Sequence, residues 1–147
     1  MTSPIHHRGA APLWPARNSP AIIVANHQGY LDGPWLAALA PQRILFGVDP
    51  DFSRRQPWRG LLRLYTALVG VDIVPMGPGS LCGLRQMCRY LEAGGWVCLF
   101  PEGGINTGRE WPGAQWLARR TGAPIHRLRL RAFGPGKMKI PYLCTAG

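Results

Sequence analysis

The sequence predicts an α/β fold, in which a layered, largely parallel β-sheet carries helices on its faces. Short apolar runs rich in β-branched residues, such as residues 21–25, alternate with segments of helical period along the 147 residues. Runs that are apolar at every position are typical of strands buried on both faces. Their spacing suits strand–helix–strand crossovers, which join parallel strands. We expect one domain, residues 20–147, after a flexible and proline-rich N-terminal arm, residues 1–19.

The elements are predicted from these runs and from the residues that bound them. Strands are expected at residues 21–25, 43–48, 70–76, 96–100 and 123–131, and helices at 35–40, from 53, at 80–93 and at 111–121. Ser80 is a suitable N-cap, and Gly94, Gly95 and Gly122 are suitable residues to end the helices before them. The last helix should turn Trp116 inward with its two neighbours Leu117 and Ala118. Residues 134–147 are predicted to be a loop and a frayed end.

Composition narrows the possible partners without choosing one. The net charge is +10, and Arg supplies 15 of the 17 basic side chains, which favours binding to phospholipid headgroups, phosphorylated substrates or nucleic acid. The four cysteines have no CxxC spacing and no secretory segment precedes them, so a cytoplasmic protein with reduced, mostly buried thiols is expected. No apolar run reaches the length of about 18 residues that spans a membrane, so attachment to an anionic membrane surface would be peripheral.

The first candidate for chemistry is Asn26-His27, with Asp32 five residues after the histidine. His27 lies just beyond a predicted strand, and Asp32 opens the next helix. A neutral imidazole accepts a proton from a hydroxyl near neutral pH, and a carboxylate on its other nitrogen fixes the tautomer. The structural alternatives are that Asp32 is a helix N-cap and that His27 is a histidine with a purely structural role at a strand end.

A second motif follows another apolar strand, at Phe100-Pro101-Glu102-Gly103-Gly104. Glycines in such a turn let the backbone approach a ligand closely, and freed N–H groups can face a phosphate or an oxyanion. The alternative is a tight turn whose glutamate pairs with an arginine. Since the carboxyl ends of parallel strands share one edge of a sheet, both motifs are expected at the same edge.

Together these motifs resemble the glycerolipid acyltransferase family, which includes lysophospholipid and 1-acylglycerol-3-phosphate acyltransferases. The family's Asn-His-x4-Asp motif corresponds to Asn26, His27 and Asp32, and its Phe-Pro-Glu-Gly motif to residues 100–103. The resemblance spans about residues 20–131 and implies transfer of a fatty acyl group from acyl-CoA or acyl-carrier protein to a lysophospholipid hydroxyl. It further implies His27 as general base, Asp32 as its orienting partner and residues 100–104 as an acceptor-binding turn, without a metal or bound cofactor.

The sequence departs from the family pattern at several points. Met76 stands where the second family motif ends in a basic residue thought to meet the substrate phosphate, and Arg85 is the candidate replacement. The family usually has a basic residue shortly after the glycine of its Phe-Pro-Glu-Gly motif. That residue is missing here, and Arg109 is the nearest substitute. The chain is also shorter than most members at both ends. A direct transfer without an acyl-enzyme is expected, because no Gly-x-Ser-x-Gly nucleophile elbow occurs.

Two alternatives from other functional classes stay open on the sequence alone. The first is a catalytically inactive protein of the same fold that binds lipid or a membrane surface, which the departures from the family pattern favour. The second is a nucleic-acid-binding domain, suggested by the charge and by six tryptophans. The second alternative is weaker, because the arginines are spread along the chain and no nucleic-acid-binding motif is recognised.

Overall fold

The apolar runs of the sequence form the strands of a single sheet. A computed structural model describes residues 14–26, 32–48, 58–69, 71–76, 81–100, 112–133 and 140–145. Within these ranges the strands are β1 (Ala21–Ala25), β2 (Ile44–Val48), β3 (Asp72–Pro75), β4 (Trp96–Leu99), β5 (Ile125–Phe133) and β6 (Ile140–Thr145). The helices are α1 (Asp32–Leu39), α2 (Trp58–Val69), α3 (Leu81–Glu92) and α4 (Gly113–Thr121).

Five strands of this sheet are parallel, which confirms the predicted α/β class. The strand order is β3-β2-β4-β1-β5-β6, and only β6 pairs antiparallel, with β5. β1 therefore lies inside the sheet, hydrogen-bonded to β4 on one side and to β5 on the other. Because the helical connections return the chain to the starting edge, the parallel strands all end at the same edge.

Successive side chains of the central strands enter opposite faces of the sheet, and each face has its own core. This follows from the two-residue period of a strand. The first core cluster contains Ile22, Val24, Leu45, Val74, Met87, Cys88, Leu91, Val97, Leu99, Ala114, Leu117 and Ala123. The second core cluster contains Ala21, Ile23, Ala25, Leu36, Ile44, Phe46, Val71, Trp96, Cys98 and Leu128. The first cluster packs beneath α3 and α4, and the second beneath α1.

The second face is also covered by residues that precede β1. The ring of Trp14 stacks on that of Trp96, with the centroids 6.0 Å apart and the planes 10° from parallel. The indole N–H of Trp96 donates a hydrogen bond of 2.9 Å to the Ser19 carbonyl oxygen, and the backbone N–H of Asn18 donates one of 3.0 Å to Oε1 of Gln42. The last part of the predicted arm therefore contacts the domain.

α3 ends in a Schellman motif, as the glycine pair of the sequence predicts. Gly94 has a φ of 85°, and its N–H donates to the Leu91 carbonyl while that of Gly95 donates to the Tyr90 carbonyl, both at 2.9 Å. This 6→1 and 5→2 pairing satisfies carbonyl groups that the helix leaves open. A Cβ added at Gly95 would overlap the Tyr90 ring, so the link between α3 and β4 has no room for a side chain at this position.

Tyr90 also ties α3 to the start of β3. Its hydroxyl donates to Oδ2 of Asp72 at 3.2 Å, while Nη2 of Arg43 contacts Oδ1 of the same carboxylate at 3.1 Å. The Arg43–Asp72 ion pair is exposed, and such a pair contributes about 1 kcal/mol or less. Burial and the negative charge of Asp72 raise the pKa of the Tyr90 hydroxyl, so this hydroxyl keeps its proton at neutral pH.

One predicted element is wrong. Residues 134–147 were expected to be loop, but Ile140–Thr145 forms β6, with Leu143 opposite Leu130 and Pro141 opposite Ala132. Pro141 weakened the strand signal, because proline lacks the N–H that a central strand needs. Proline is tolerated at a sheet edge. The strand is stabilised by its pairing with β5, a tertiary interaction that the local sequence pattern does not show. No helix in the described ranges is long and apolar enough to cross a membrane.

Replacing Gly95 by alanine should destabilise the fold, because the new Cβ would overlap the Tyr90 ring and its carbonyl oxygen. We expect the free energy of unfolding to fall by about 1 to 3 kcal/mol, the usual range for overpacking. Gly60→Ala is the matched control, since a Cβ at Gly60 in α2 meets nothing within 4 Å and alanine favours a helix. Urea unfolding followed by circular dichroism measures both, and equal stabilities for the two variants would contradict the described turn.

Tyr90 should also make the stability depend on pH in the alkaline range. Its folded pKa is raised, so as pH rises through about 10 the unfolded chain loses the phenol proton first and stability falls. Tyr90→Phe removes this loss together with the hydrogen bond to Asp72. We therefore expect the stability advantage of wild type over Tyr90→Phe to shrink between about pH 9 and pH 11. A constant difference in urea unfolding over this range would show that the Tyr90 hydroxyl is not perturbed.

Candidate active site

The two motif-bearing strands are neighbours in the sheet. β1 and β4 run parallel in a register that pairs Ile23 with Cys98 and Val24 with Leu99. The chain leaves the sheet directly after each of these strands, at Asn26 and at Phe100. The two motifs therefore begin side by side at one edge of the sheet, as the strand pattern predicts. Ligands of open parallel sheets bind at this edge, outside the carboxyl ends of the strands.

Only part of the predicted site lies within the described residues. Asn26, Phe100 and Arg85 are described, and Asp32 is the first residue of α1, close to the predicted opening of that helix. The other predicted site residues lie outside the described ranges: His27, Pro101, Glu102, Gly103, Gly104 and Arg109.

The residues that lead into the two motifs are held by the core. Asn26 and Phe100 are both half-buried, and Phe100 packs against the second core cluster. The strands just before them are almost inaccessible to solvent, with Ala25 at 0% exposure and Leu99 at 8%. Both turns therefore start from backbone that is fixed by packing on two faces, which is what positioning of a catalytic group requires.

The end of β3 carries an apolar side chain at the same edge. Met76 follows β3 directly, is half-buried and packs against the first core cluster. Its side chain fills the space beside Gly47, where a Cβ would lie 2.8 Å from Met76 Cγ and 3.0 Å from Met87 Cε. The position that the resemblance aligns with a basic residue is therefore occupied by a half-buried methionine that packs against the first core cluster.

Arg85, the candidate replacement for that cation, lies on the outer side of the helical layer. It is exposed and lines a groove between α3 and α4 together with Cys88, Arg89, Glu92, Trp116 and Arg120. The prediction that Trp116 turns inward is wrong, because its side chain is 39% exposed in this groove. The apolar Leu117, at 0% exposure, fills the inward position of α4. Since neighbouring residues of a helix point in different directions, Trp116 does not share this inward position.

The buried cysteines are unsuited to nucleophilic chemistry. Cys98 lies in β4, two residues before Phe100, and is 1% exposed; burial raises the pKa of its thiol far above the usual range. Burial likewise raises the pKa of the Cys88 thiol, with a smaller contribution from the Glu92 charge. Both groups stay protonated at neutral pH, and the thiolate is the reactive form. Neither cysteine is therefore a candidate for the attacking group.

The arrangement of strands and motifs agrees with the comparison to known families. The sequence model of a family described as Acyltransferase matches residues 9–131. The match covers most of the chain and includes both motif-bearing strands, the helices α1–α4 and the greater part of β5. It also includes the residues before β1 that contact the second core cluster.

The contact between Gly47 and Met76 can be tested by a double-mutant cycle. Gly47→Ala alone should lower the free energy of unfolding by about 1 to 3 kcal/mol through overlap with Met76 Cγ. In a Met76→Ala background the overlap is partly relieved, so the two losses should add to more than the loss in the double variant. We expect a coupling of at least about 0.5 kcal/mol in urea unfolding. Strictly additive losses would show that the two residues do not share this space.

Proposed function

Because the chain belongs to the Acyltransferase family, we propose that it transfers a fatty acyl group from a thioester to a hydroxyl of a lysophospholipid-type acceptor. The donor is acyl-CoA or acyl-carrier protein. The observation that supports this proposal most directly is the pairing of β1 with β4, since it starts the His27 and Glu102 turns side by side. A base and an acceptor-binding turn are then available to one substrate.

In the proposed reaction, His27 accepts the proton of the acceptor hydroxyl while the hydroxyl oxygen attacks the thioester carbonyl carbon. The resulting tetrahedral oxyanion is stabilised by backbone N–H groups of the motif turns. The carbon–sulfur bond then breaks, and the imidazolium returns the proton to the departing sulfur. The products are an ester and a free thiol. Asp32 holds the imidazole in the required tautomer and stabilises its charged form.

Residues 100–104 bind the acceptor in this proposal, with Arg85 and Arg109 as the candidate contacts for its phosphate. Packing of Met76 against the core removes the cation that would otherwise meet a phosphate at the end of β3. Acceptors that lack a phosphate monoester near the reacting hydroxyl therefore suit this site better than lysophosphatidate does. The protein meets its lipid substrate at the surface of an anionic membrane, where its net positive charge favours binding.

Removing the His27 imidazole should strongly reduce acyl transfer and leave the fold intact. We expect His27→Ala to lower kcat/KM by about 10² to 10⁴, with a smaller loss for Asp32→Asn. The assay measures transfer from labelled acyl-CoA and acyl-carrier protein to a panel of lysophospholipids in mixed micelles. His126→Gln is the matched control, since His126 lies opposite Ile23 in the middle of the β1–β5 pair, away from the edge where the motifs begin.

Other results of this assay would contradict the proposal. Equal activity of wild type and His27→Ala would exclude His27 as the base. A folded wild type that transfers from neither donor to any acceptor would favour the second candidate function, a non-catalytic protein that binds lipid. The methionine at the end of β3 favours that candidate. Liposome binding that is unchanged in His27→Ala, without turnover, would be its signature.

A further inference from the structure

The groove between α3 and α4 has the size of a small-ligand site. Its volume is about 510 Å³, within the range of about 300 to 1,000 Å³ that ligand pockets usually occupy. Its lining comes from one stripe of α3 (Arg85, Cys88, Arg89, Glu92) and from Trp116 and Arg120 of α4. Since these residues recur at intervals of three or four positions, they share one face of each helix.

The charge of this groove is unbalanced. Three arginines face a single carboxylate, Glu92, which leaves a formal charge of +2 in the lining (+3 and −1). None of the three guanidinium groups forms an ion pair with another described residue; the ion pair recorded among the described residues joins Arg43 to Asp72. Burial keeps the Cys88 thiol at its base neutral by raising its pKa. The groove therefore attracts anions, and planar guanidinium groups bind phosphate oxygens in pairs.

The spacing of the cations suits a ligand with separate phosphate groups. Arg85 and Arg89 lie one turn apart on α3, which is about 6 Å along the helix axis. Trp116 and Arg120 have the same separation on α4. A ligand with phosphates at more than one position can contact this row and Arg120 at the same time. The indole ring of Trp116, 39% exposed, adds a flat surface on which a base can stack.

The two helices that line the groove start at the edge of the sheet where the motifs begin. α3 and α4 each follow a strand that ends at this edge and lead to a strand that starts at the opposite edge, so both helices run antiparallel to the strands. At their starting ends, a Cβ on Gly113 would lie 3.8 Å from Leu84 and 3.9 Å from Leu99 at the end of β4. Arg85 is thus the groove arginine nearest to the edge at which β1 and β4 end, and a ligand anchored further along the groove can extend toward that edge.

We propose that this groove binds the phosphorylated nucleotide of a coenzyme A thioester, with the phosphates on Arg85, Arg89 and Arg120 and the adenine on Trp116. Arg85 then serves the donor, and Arg109 alone is left as the candidate contact for the acceptor's phosphate. This inference rests on the proposed function, because it selects acyl-CoA rather than acyl-carrier protein as donor and gives its nucleotide a place. The acyl-bearing arm then reaches the motif edge from outside the helical layer. Glu92 forms the far end of the groove and limits how far the anionic ligand can move along it.

The test is equilibrium binding of coenzyme A by isothermal titration calorimetry to the wild-type chain and to Arg89→Gln and Arg120→Gln. Each substitution should weaken binding about tenfold or more, since each removes a charge-assisted contact. Dephospho-coenzyme A should bind more weakly than coenzyme A to wild type, and Trp116→Leu should weaken both while Trp116→Phe keeps them. Arg119→Gln is the matched control: Arg119 is the exposed neighbour of Arg120, and its Nε–H donates to the Gln115 carbonyl at 3.4 Å.

Four results would overturn the proposal. The first three are absence of coenzyme A binding to folded wild type, an affinity that Arg89→Gln and Arg120→Gln leave unchanged, and an equal loss in Arg119→Gln. Arginine-dependent binding to phosphatidylglycerol vesicles without binding of coenzyme A would instead assign the groove to a lipid headgroup, which also overturns it. Binding is measured without turnover, so a chain that binds coenzyme A through these arginines but transfers nothing supports the groove while the proposed acyl transfer fails. Transfer from acyl-carrier protein alone, without coenzyme A binding, would support the proposed acyl transfer and overturn the proposed groove.

Discussion

Burial of β1 on both faces is the constraint on which the rest of the structure depends. Ile22 and Ile23 are both at 0% exposure, although their side chains leave opposite faces of the sheet. A strand of this kind needs hydrogen-bonding neighbours on both sides and a packed layer above and below. β4 and β5 supply the neighbours, α3 and α4 cover one face, and α1 with Trp14 covers the other. The residue that follows such a strand has little freedom, which makes its end a suitable place for a catalytic group.

Much of this arrangement could be predicted from the local sequence, at the positions where neighbouring residues alone determine the backbone conformation. β1 was predicted with its observed limits because its apolar run is short and rich in β-branched residues, which favours a buried strand over a buried helix. The end of α3 was predicted because Gly94 accepts the positive φ that a Schellman motif requires. β6 was missed because its stability comes from pairing with β5, and Pro141 obscured the local signal. Trp116 was placed inward because one short helix was considered alone, before the packing of α4 against α3 was known.

In the candidate site, too, the local sequence predicted some features, while others depend on tertiary packing. Residue types and their order identified both motifs, and the parallel sheet places their first residues together. The environment of Met76 could not be predicted, because its packing depends on a gap left by Gly47, a residue in another strand. Such a contact changes the meaning of a substitution. In the sequence, Met76 marks only a missing basic residue, whereas in the fold its half-buried side chain packs against the first core cluster. A basic side chain there would give up this apolar packing or carry a partly buried charge.

The two sides of the α3–α4 layer therefore carry different chemistry. The inner side is apolar and supports the strand ends, with Met87, Leu91 and Leu117 all at or below 1% exposure. The outer side collects guanidinium groups that have no described carboxylate partner. Because the chain has few acidic side chains with which to neutralise its arginines, anions must come from a ligand or a surface. A donor anchored by its phosphates on the outer side would bring its reactive end to the motif edge without placing a charge inside the core.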